Sequence, residues 1–362
     1  MRAALVSGLA FLLNACGLVD AIFTAPDGSA SSAPAPEVVS IQPPLDANRF
    51  TLEEGQDVVG QVQLTTARGE DTFVEFARVY GLGFDELRDA NPGVDPWLPG
   101  EGTPIVLPTR FVLPDAPREG IILNVAVKRL FYFPPVTEGE APVVETWPIG
   151  IGREDWATPT GDTTVVARAR DPVWFVPASI RKEHEEMGDP LPAEVPPGPD
   201  NPLGSRVLQL GLPGYLIHGT NKPAGVGMRV SHGCVRLFPE DIEYLYDQVP
   251  VGTPVRIVNQ PLLLGSRGSD LLLESHPPLA EDDRDLLAAL DEKVGERVKA
   301  MPNGQAGVDT ARMVEIADEQ RGFPVSVLAG GRDTEATLRR ARRVENIIVH
   351  EPVEQVADVA EE

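Results

Sequence analysis

Thirty-six prolines and 34 glycines punctuate this 362-residue chain, and the proline count is about twice what average usage gives. Proline removes a backbone donor and fixes φ, and glycine weakens any helix or strand it interrupts. Long helices are therefore disfavoured, and the chain must fold largely as short strands joined by turns. The apolar runs fit that limit: 121–127, 130–133, 143–149, 163–167, 207–210, 215–217 and 255–258. The first two flank Lys128-Arg129 and read as a hairpin. One helix stands out after them, starting near Pro239 and carrying Ile242, Leu245, Tyr246 and Val249 on one face. These features predict a mainly β fold with short helices, built as a β-sandwich or open barrel.

The length suits about two domains, and 42% hydrophobic residues suffice for a core. A formal net charge of −24 argues against a nucleic-acid partner, because phosphate binding needs a basic face. Near the start, Arg2 precedes an apolar run over 3–13, followed by Asn14, Ala15 and Cys16. The run is too short to span a bilayer and reads as a secretory signal over 1–23. Leu13-Asn14-Ala15-Cys16 resembles a bacterial lipoprotein box, in which the cysteine becomes the lipidated first residue. Asn14 departs from that pattern, and a plain signal cut near Ala25 is the alternative. Both readings put the mature protein in the periplasm, the first with a lipid anchor. Residues 24–48 read as a disordered linker. At the other end, Leu286, Leu287, Leu290 and Val294, then Met313, Ile316 and Ala317, predict a helical extension over 260–330. The segment 331–362, with Arg339, Arg340, Arg342 and Arg343 before an acidic end, reads as a disordered tail.

Between 58 and 109, Phe73, Phe76, Ala77 and Tyr80 recur at helical spacing; Asp71 or Thr72 can cap them, and Gly81 ends the helix. A second helix over 84–90 stops at Asn91-Pro92-Gly93, and Ile105-Val106-Leu107-Pro108 reads as a strand. Gly69-Glu70-Asp71-Thr72, Ala77, Tyr80-Gly81, Asp85-Glu86-Leu87, Ala90-Asn91-Pro92, Pro99-Gly100 and Leu107-Pro108 resemble the LysM family. That resemblance implies a βααβ module that binds the glycan of peptidoglycan.

The chain has two cysteines, Cys16 and Cys234. Once Cys16 is removed or acylated, Cys234 is a lone thiol in an oxidising compartment, a liability unless it has a use. It lies in Ser231-His232-Gly233-Cys234-Val235-Arg236-Leu237, 16 residues after the histidine of His218-Gly219-Thr220. His218 ends an apolar strand, and a loop returning to it can bring imidazole and thiol together. An unperturbed thiol is mostly protonated at neutral pH, and an imidazole can take that proton to make the nucleophile. Gly233 permits a sharp turn and a close approach of a substrate carbonyl. The N–H groups of His232, Gly233 and Cys234 are candidates for an oxyanion cradle. Arg236 is a candidate clamp for a substrate carboxylate, and Lys222 and Arg229 add to a local positive field. Zinc held by His218, His232 and Cys234 is the competing chemistry, but it lacks an evident fourth ligand, since His184 and His276 lie far off in sequence. The stretch 181–204 is long, charged and proline-rich, as functional or disordered loops are.

The same segment resembles the signature of L,D-transpeptidases with a YkuD-type catalytic domain. The similarity extends through Gly150-Ile151-Gly152-Arg153, Trp156-Ala157-Thr158-Pro159-Thr160-Gly161, Pro196-Pro197-Gly198-Pro199-Asp200-Asn201-Pro202-Leu203-Gly204, Leu212-Pro213-Gly214-Tyr215, Asp241 and Val251-Gly252-Thr253-Pro254-Val255. It implies a catalytic β-sandwich domain over 119–259, with Cys234 as nucleophile, His218 as base and the Gly219 carbonyl orienting His218. His232 and Gly233 belong to the same catalytic loop, and Ser231, Thr220 and Arg236 are carried over as substrate-binding. It implies no cofactor and no metal. The implied partners are peptidoglycan stem peptides and glycan, with the acyl group passing to a second stem or to a lysine of an outer-membrane lipoprotein. Carbapenems are implied inhibitors. Two rivals remain: hydrolysis by the same site, as a carboxypeptidase or cysteine peptidase, and a non-catalytic wall adaptor. Papain-like enzymes place Cys before His, the reverse of the order here.

Overall fold

The computed structural model describes residues 41–300 and 307–350. The predicted signal, residues 24–40 of the linker and the last part of the tail lie outside the described residues. The largest sheet has nine strands, in the spatial order Arg49–Thr51, Val143–Pro148, Arg129–Phe133, Gly120–Asn124, Pro254–Val258, Gly161–Arg170, Arg206–Leu210, Leu216–His218 and Val235–Arg236. Neighbours run antiparallel, except that Pro254–Val258 lies parallel to Gly120–Asn124 and Val235–Arg236 parallel to Leu216–His218. Strand Gly161–Arg170 serves both halves. Its first residues pair with Pro254–Val258 and its later ones with Arg206–Leu210, across a register shift between Val165 and Ala167. A bulge there bends one strand from one half into the other.

The expected hairpin forms, with Gly120–Asn124 against Arg129–Phe133 and Lys128 in the left-handed region at φ 59°. Its strands are apolar without alternation because both faces are buried. Ile121, Leu123, Leu130 and Tyr132 face one core, which includes Ile217, Val235, Ile242 and Leu245. Ile122, Phe131 and Phe133 face a second core with Phe73, Phe76, Leu87, Ile105 and Phe111. Period-2 alternation sends successive side chains to opposite faces, so a strand between two cores reads as a continuous apolar run. The helix begun by Pro239 runs Pro239–Gln248 and packs Ile242 and Leu245 into the first core.

The second core joins the N-terminal module to the sheet. Strands Gln63–Thr66 and Pro104–Leu107 pair antiparallel around helices Phe73–Val79 and Phe84–Ala90. Of the two candidate caps, Thr72 caps the first helix, in a reciprocal box with Glu75. Asp71 is instead fully buried and accepts hydrogen bonds from the Arg68 backbone and the Asn346 side chain. Buried Arg129 donates to both carboxylate oxygens of buried Glu86 at 2.7 Å and stacks over the Phe111 ring at 4.1 Å. The module therefore shares a core and a buried ion pair with the β-sheet.

Three expectations need correction. The linker is anchored at its end: Leu45 donates to Gln63, Ala47 is buried, and Gln42 forms a bridge to Val344. The extension opens with a hairpin, Leu262–Arg267 against Asp270–Ser275, to which Val325–Ser326 adds a third strand. Its helices Leu286–Ala300 and Thr310–Glu319 then pack Leu290, Val294, Met313 and Ile316 on the hairpin and on Val62, Leu64 and Val106 of the module. The supposed tail holds helix Thr334–Arg339 and a strand, Arg342–Arg343, parallel to Gln63–Thr66. Val344 and Ile348 are buried in the second core. The polar composition of this tail conceals two apolar anchors that only a preformed module can receive.

Candidate active site

His218 ends strand Leu216–His218 and Arg236 ends Val235–Arg236; the parallel ladder places them side by side. Cys234 enters that second strand two residues before Arg236, so alternation puts its side chain on the same face as His218 and Arg236. The Cys234 thiol donates to the Gly214 carbonyl at 3.6 Å. That contact, rather than one with an imidazole, is the thiol's hydrogen bond in the resting geometry.

His218 is buried at 3% exposure, with Nδ1 2.6 Å from the Gly219 carbonyl. A carbonyl can only accept, so this contact assigns the proton to Nδ1 and leaves Nε2 as the basic nitrogen. Burial first, and then the Arg236 charge, push the His218 pKa down to about 3. Burial pushes the Cys234 thiol up. Both shifts favour a neutral thiol beside a neutral imidazole.

The loop before Cys234 is tightly determined. Ser231 is 1% exposed; its hydroxyl accepts the Gly233 N–H at 3.2 Å and donates to the Cys234 carbonyl at 2.6 Å. Thr158 donates to the Gly233 carbonyl at 2.8 Å. Gly233 has φ 101°, and a Cβ there would stand 3.0 Å from the Tyr215 ring. These contacts bear on three sequence expectations. The Ser231 hydroxyl, expected to meet substrate, is engaged within the loop. Thr220 is buried and its hydroxyl accepts the Lys222 N–H, again a local turn. The Gly233 N–H is spent on Ser231, which leaves those of His232 and Cys234 as the candidate oxyanion donors.

The His232 ring is held by Glu183 and Trp156. Its Nε2 is 3.0 Å from the Glu183 carboxylate, and its ring meets Trp156 edge-on at 5.3 Å. Glu183 also pairs with Arg153, which holds its carboxyl below the usual range. Glu183 lies on helix Ala178–Glu186, whose last residues fall within the 181–204 stretch expected to be loop. Sequence reasoning missed it because nothing local links Glu183 to a histidine 49 residues away. The later part of the same stretch is fixed behind His218. Buried Asn201 donates to the Pro172 carbonyl, and a Cβ on Gly204 would press on Thr220 N at 2.9 Å.

The cations divide. Arg229 is held by Glu281 of the C-terminal extension at 2.9 and 3.0 Å, so it is not a free charge for substrate. Lys222 is exposed. Arg236 is mostly buried, and its Nε has no hydrogen-bond partner among the described residues. A desolvated guanidinium without a carboxylate suits a carboxylate brought by substrate. The arrangement gathers a thiol, an imidazole with a fixed Nδ1, main-chain N–H groups and a guanidinium along one strand pair.

The family model described as YkuD, L,D-transpeptidase catalytic domain, matches residues 118–257. The probable L,D-transpeptidase ErfK/SrfK of Salmonella typhimurium is 42% identical over 289 residues, covering 76% of this chain and 90% of that protein. The probable L,D-transpeptidase YcfS of Escherichia coli is 39% identical over 299 residues, covering 80% and 91%. The probable L,D-transpeptidase YbiS of the same species is 39% identical over 285 residues, covering 75% and 89%. On this likeness, which is longer than the catalytic-domain match, the chain belongs to the L,D-transpeptidase family.

Proposed function

We propose that the protein is a cysteine L,D-transpeptidase that works on peptidoglycan in the periplasm. The observation that carries this reading is Cys234 on the same strand-pair face as a His218 whose Nδ1 is fixed by Gly219. The Cys234 sulfur attacks the carbonyl between the diamino acid at stem position three and D-Ala. Its proton passes to His218 Nε2 as the C–S bond forms, so no resting ion pair is required. The His232 and Cys234 N–H groups hold the oxyanion. His218 then protonates the leaving amine, D-Ala departs, and a thioester remains. An acceptor amine, deprotonated by His218, attacks the thioester and frees the thiol. Arg236 binds a stem carboxylate. The βααβ module holds glycan; its exposed Trp97, packed on Phe84 at 5.8 Å, offers a face for sugar stacking.

The test is incubation with a disaccharide-tetrapeptide and mass spectrometry of the products. Crosslinked dimers with loss of D-Ala are expected. Tripeptide alone would make the enzyme a carboxypeptidase, and no product would leave a wall adaptor. Cys234→Ala should abolish either product.

A further inference from the structure

A second site of different chemistry lies away from the cysteine. Arg110 of strand Arg110–Val112, Arg267 at the end of Leu262–Arg267, and Arg332, Arg340 and Arg342 of the C-terminal segment line one cavity of about 530 Å³. Asp270 is the acidic residue in its lining, and its carboxylate accepts the Ser326 hydroxyl. Among the described residues none of the five arginines makes an ion pair. Arg267 and Arg342 each donate to a backbone carbonyl, of Gly60 at 3.0 Å and Pro43 at 3.2 Å. Arg110 Nε and Arg342 Nε are buried with no hydrogen-bond partner. Burial, and then the neighbouring Arg267 charge, bring the Arg110 pKa down to about 10.

This concentration runs against the whole chain, which carries 31 basic and 55 acidic residues. Five like charges brought together by three distant segments repel one another, and two of them hold desolvated, unpaired donors. Such a cluster is costly empty and is relieved by an anion. Asp270 and the buried Glu274 that acts on Arg110 leave the five guanidiniums with excess positive charge, more than one further carboxylate offsets. A phosphoryl group offers several oxygens to planar, fork-shaped donors and carries more than one charge. The volume is in the range of small-ligand sites and exceeds what a single ion needs.

We propose that this cavity is a binding site for a multiply charged phosphoryl anion, either a soluble phosphorylated molecule or a phosphorylated lipid headgroup. Arg110 and Arg342 form its floor, and Arg332 and Arg340 form its exposed rim. The site is independent of the cysteine chemistry, so it stands whether or not the transpeptidase reading does.

Titration calorimetry of the full chain in phosphate-free buffer tests it, with pyrophosphate, orthophosphate and citrate as probes. Saturable one-to-one binding of pyrophosphate is expected, at least tenfold tighter than citrate. Arg110→Gln should weaken it at least tenfold. Arg332→Gln, at an exposed position that cannot disturb folding, should weaken it several-fold. Arg78→Gln, outside the cavity, and Cys234→Ala should bind as the unaltered chain does. Flotation with phosphatidylglycerol vesicles separates the sources: pyrophosphate-competed retention indicates a headgroup, and binding of pyrophosphate without retention indicates a soluble ligand. No saturable heat with pyrophosphate, tighter binding of citrate, or unchanged affinity in both arginine variants would overturn the proposal.

Discussion

His218 and Arg236 are strand partners, so the imidazole proposed as the base has a cation as its neighbour. That relationship and burial keep the imidazole neutral, while burial keeps the thiol protonated. The pair differs from a preformed thiolate–imidazolium couple. Alkylation of Cys234 by iodoacetamide, measured in a Cys16→Ser chain, should rise with pH through and beyond pH 9, about where a free thiol titrates or higher. A plateau reached near neutral pH would mean that a thiolate already exists at rest.

Ser231 acts through the backbone of its neighbours. Ser231→Ala removes two hydrogen bonds and should cost about 1–2 kcal/mol of stability. Turnover on the tetrapeptide should fall more than tenfold with KM little changed, because the Cys234 and His232 N–H groups lose their aim. A rise in KM with kcat intact would return Ser231 to substrate binding.

Stability should depend on pH through two buried groups of opposite sign. From the ordinary value of 6.5 down to about 3, the unfolded chain binds a proton at His218 that the folded one refuses, so stability falls as pH drops. Asp241, half-buried at the start of its helix with one buried carboxylate oxygen unpartnered, has its pKa raised by desolvation to about 7. The folded state keeps that proton from 3.8 up to about 7 while the unfolded state releases it, so here stability falls as pH rises. Each group alone gives a slope of at most about 1.4 kcal/mol per pH unit. Between pH 4 and 6.5 the two effects oppose each other, so urea midpoints should rise with pH in Asp241→Asn and fall with pH in His218→Gln.

The Glu86–Arg129 pair is buried on both sides. Glu86→Ala leaves an uncompensated guanidinium and should cost about 3–5 kcal/mol. Because the module and the sheet share a core, unfolding in urea should remain one transition shifted to lower denaturant. A separate early transition reporting on Trp97 alone would show that the module folds as its own unit.

The hairpin, the capped helices of the module and the Pro239 helix were legible because each is declared by residues close in sequence. The proposed catalytic pair left its signal for the same reason, since His218 and Cys234 flank one returning loop. The hairpin over 262–275 carried a readable signal, two leucine triplets around a Gly268 turn at φ 61°, but the helical pattern downstream dominated the reading. Glu183 against His232, Glu281 against Arg229 and the convergence of five arginines left no local trace.

The sequence by itself determined that short strands must dominate, that Gly233 and its neighbours form a tight turn, and that one thiol stands near one imidazole along the chain. Tertiary structure alone decided which donors remain free. Whether the Ser231 hydroxyl, the Gly233 N–H or the Arg229 guanidinium is available depends on partners that arrive only with folding. The physical reason is that composition and spacing specify which groups exist, whereas burial and hydrogen-bond competition between distant segments decide which of them are left over to meet a ligand.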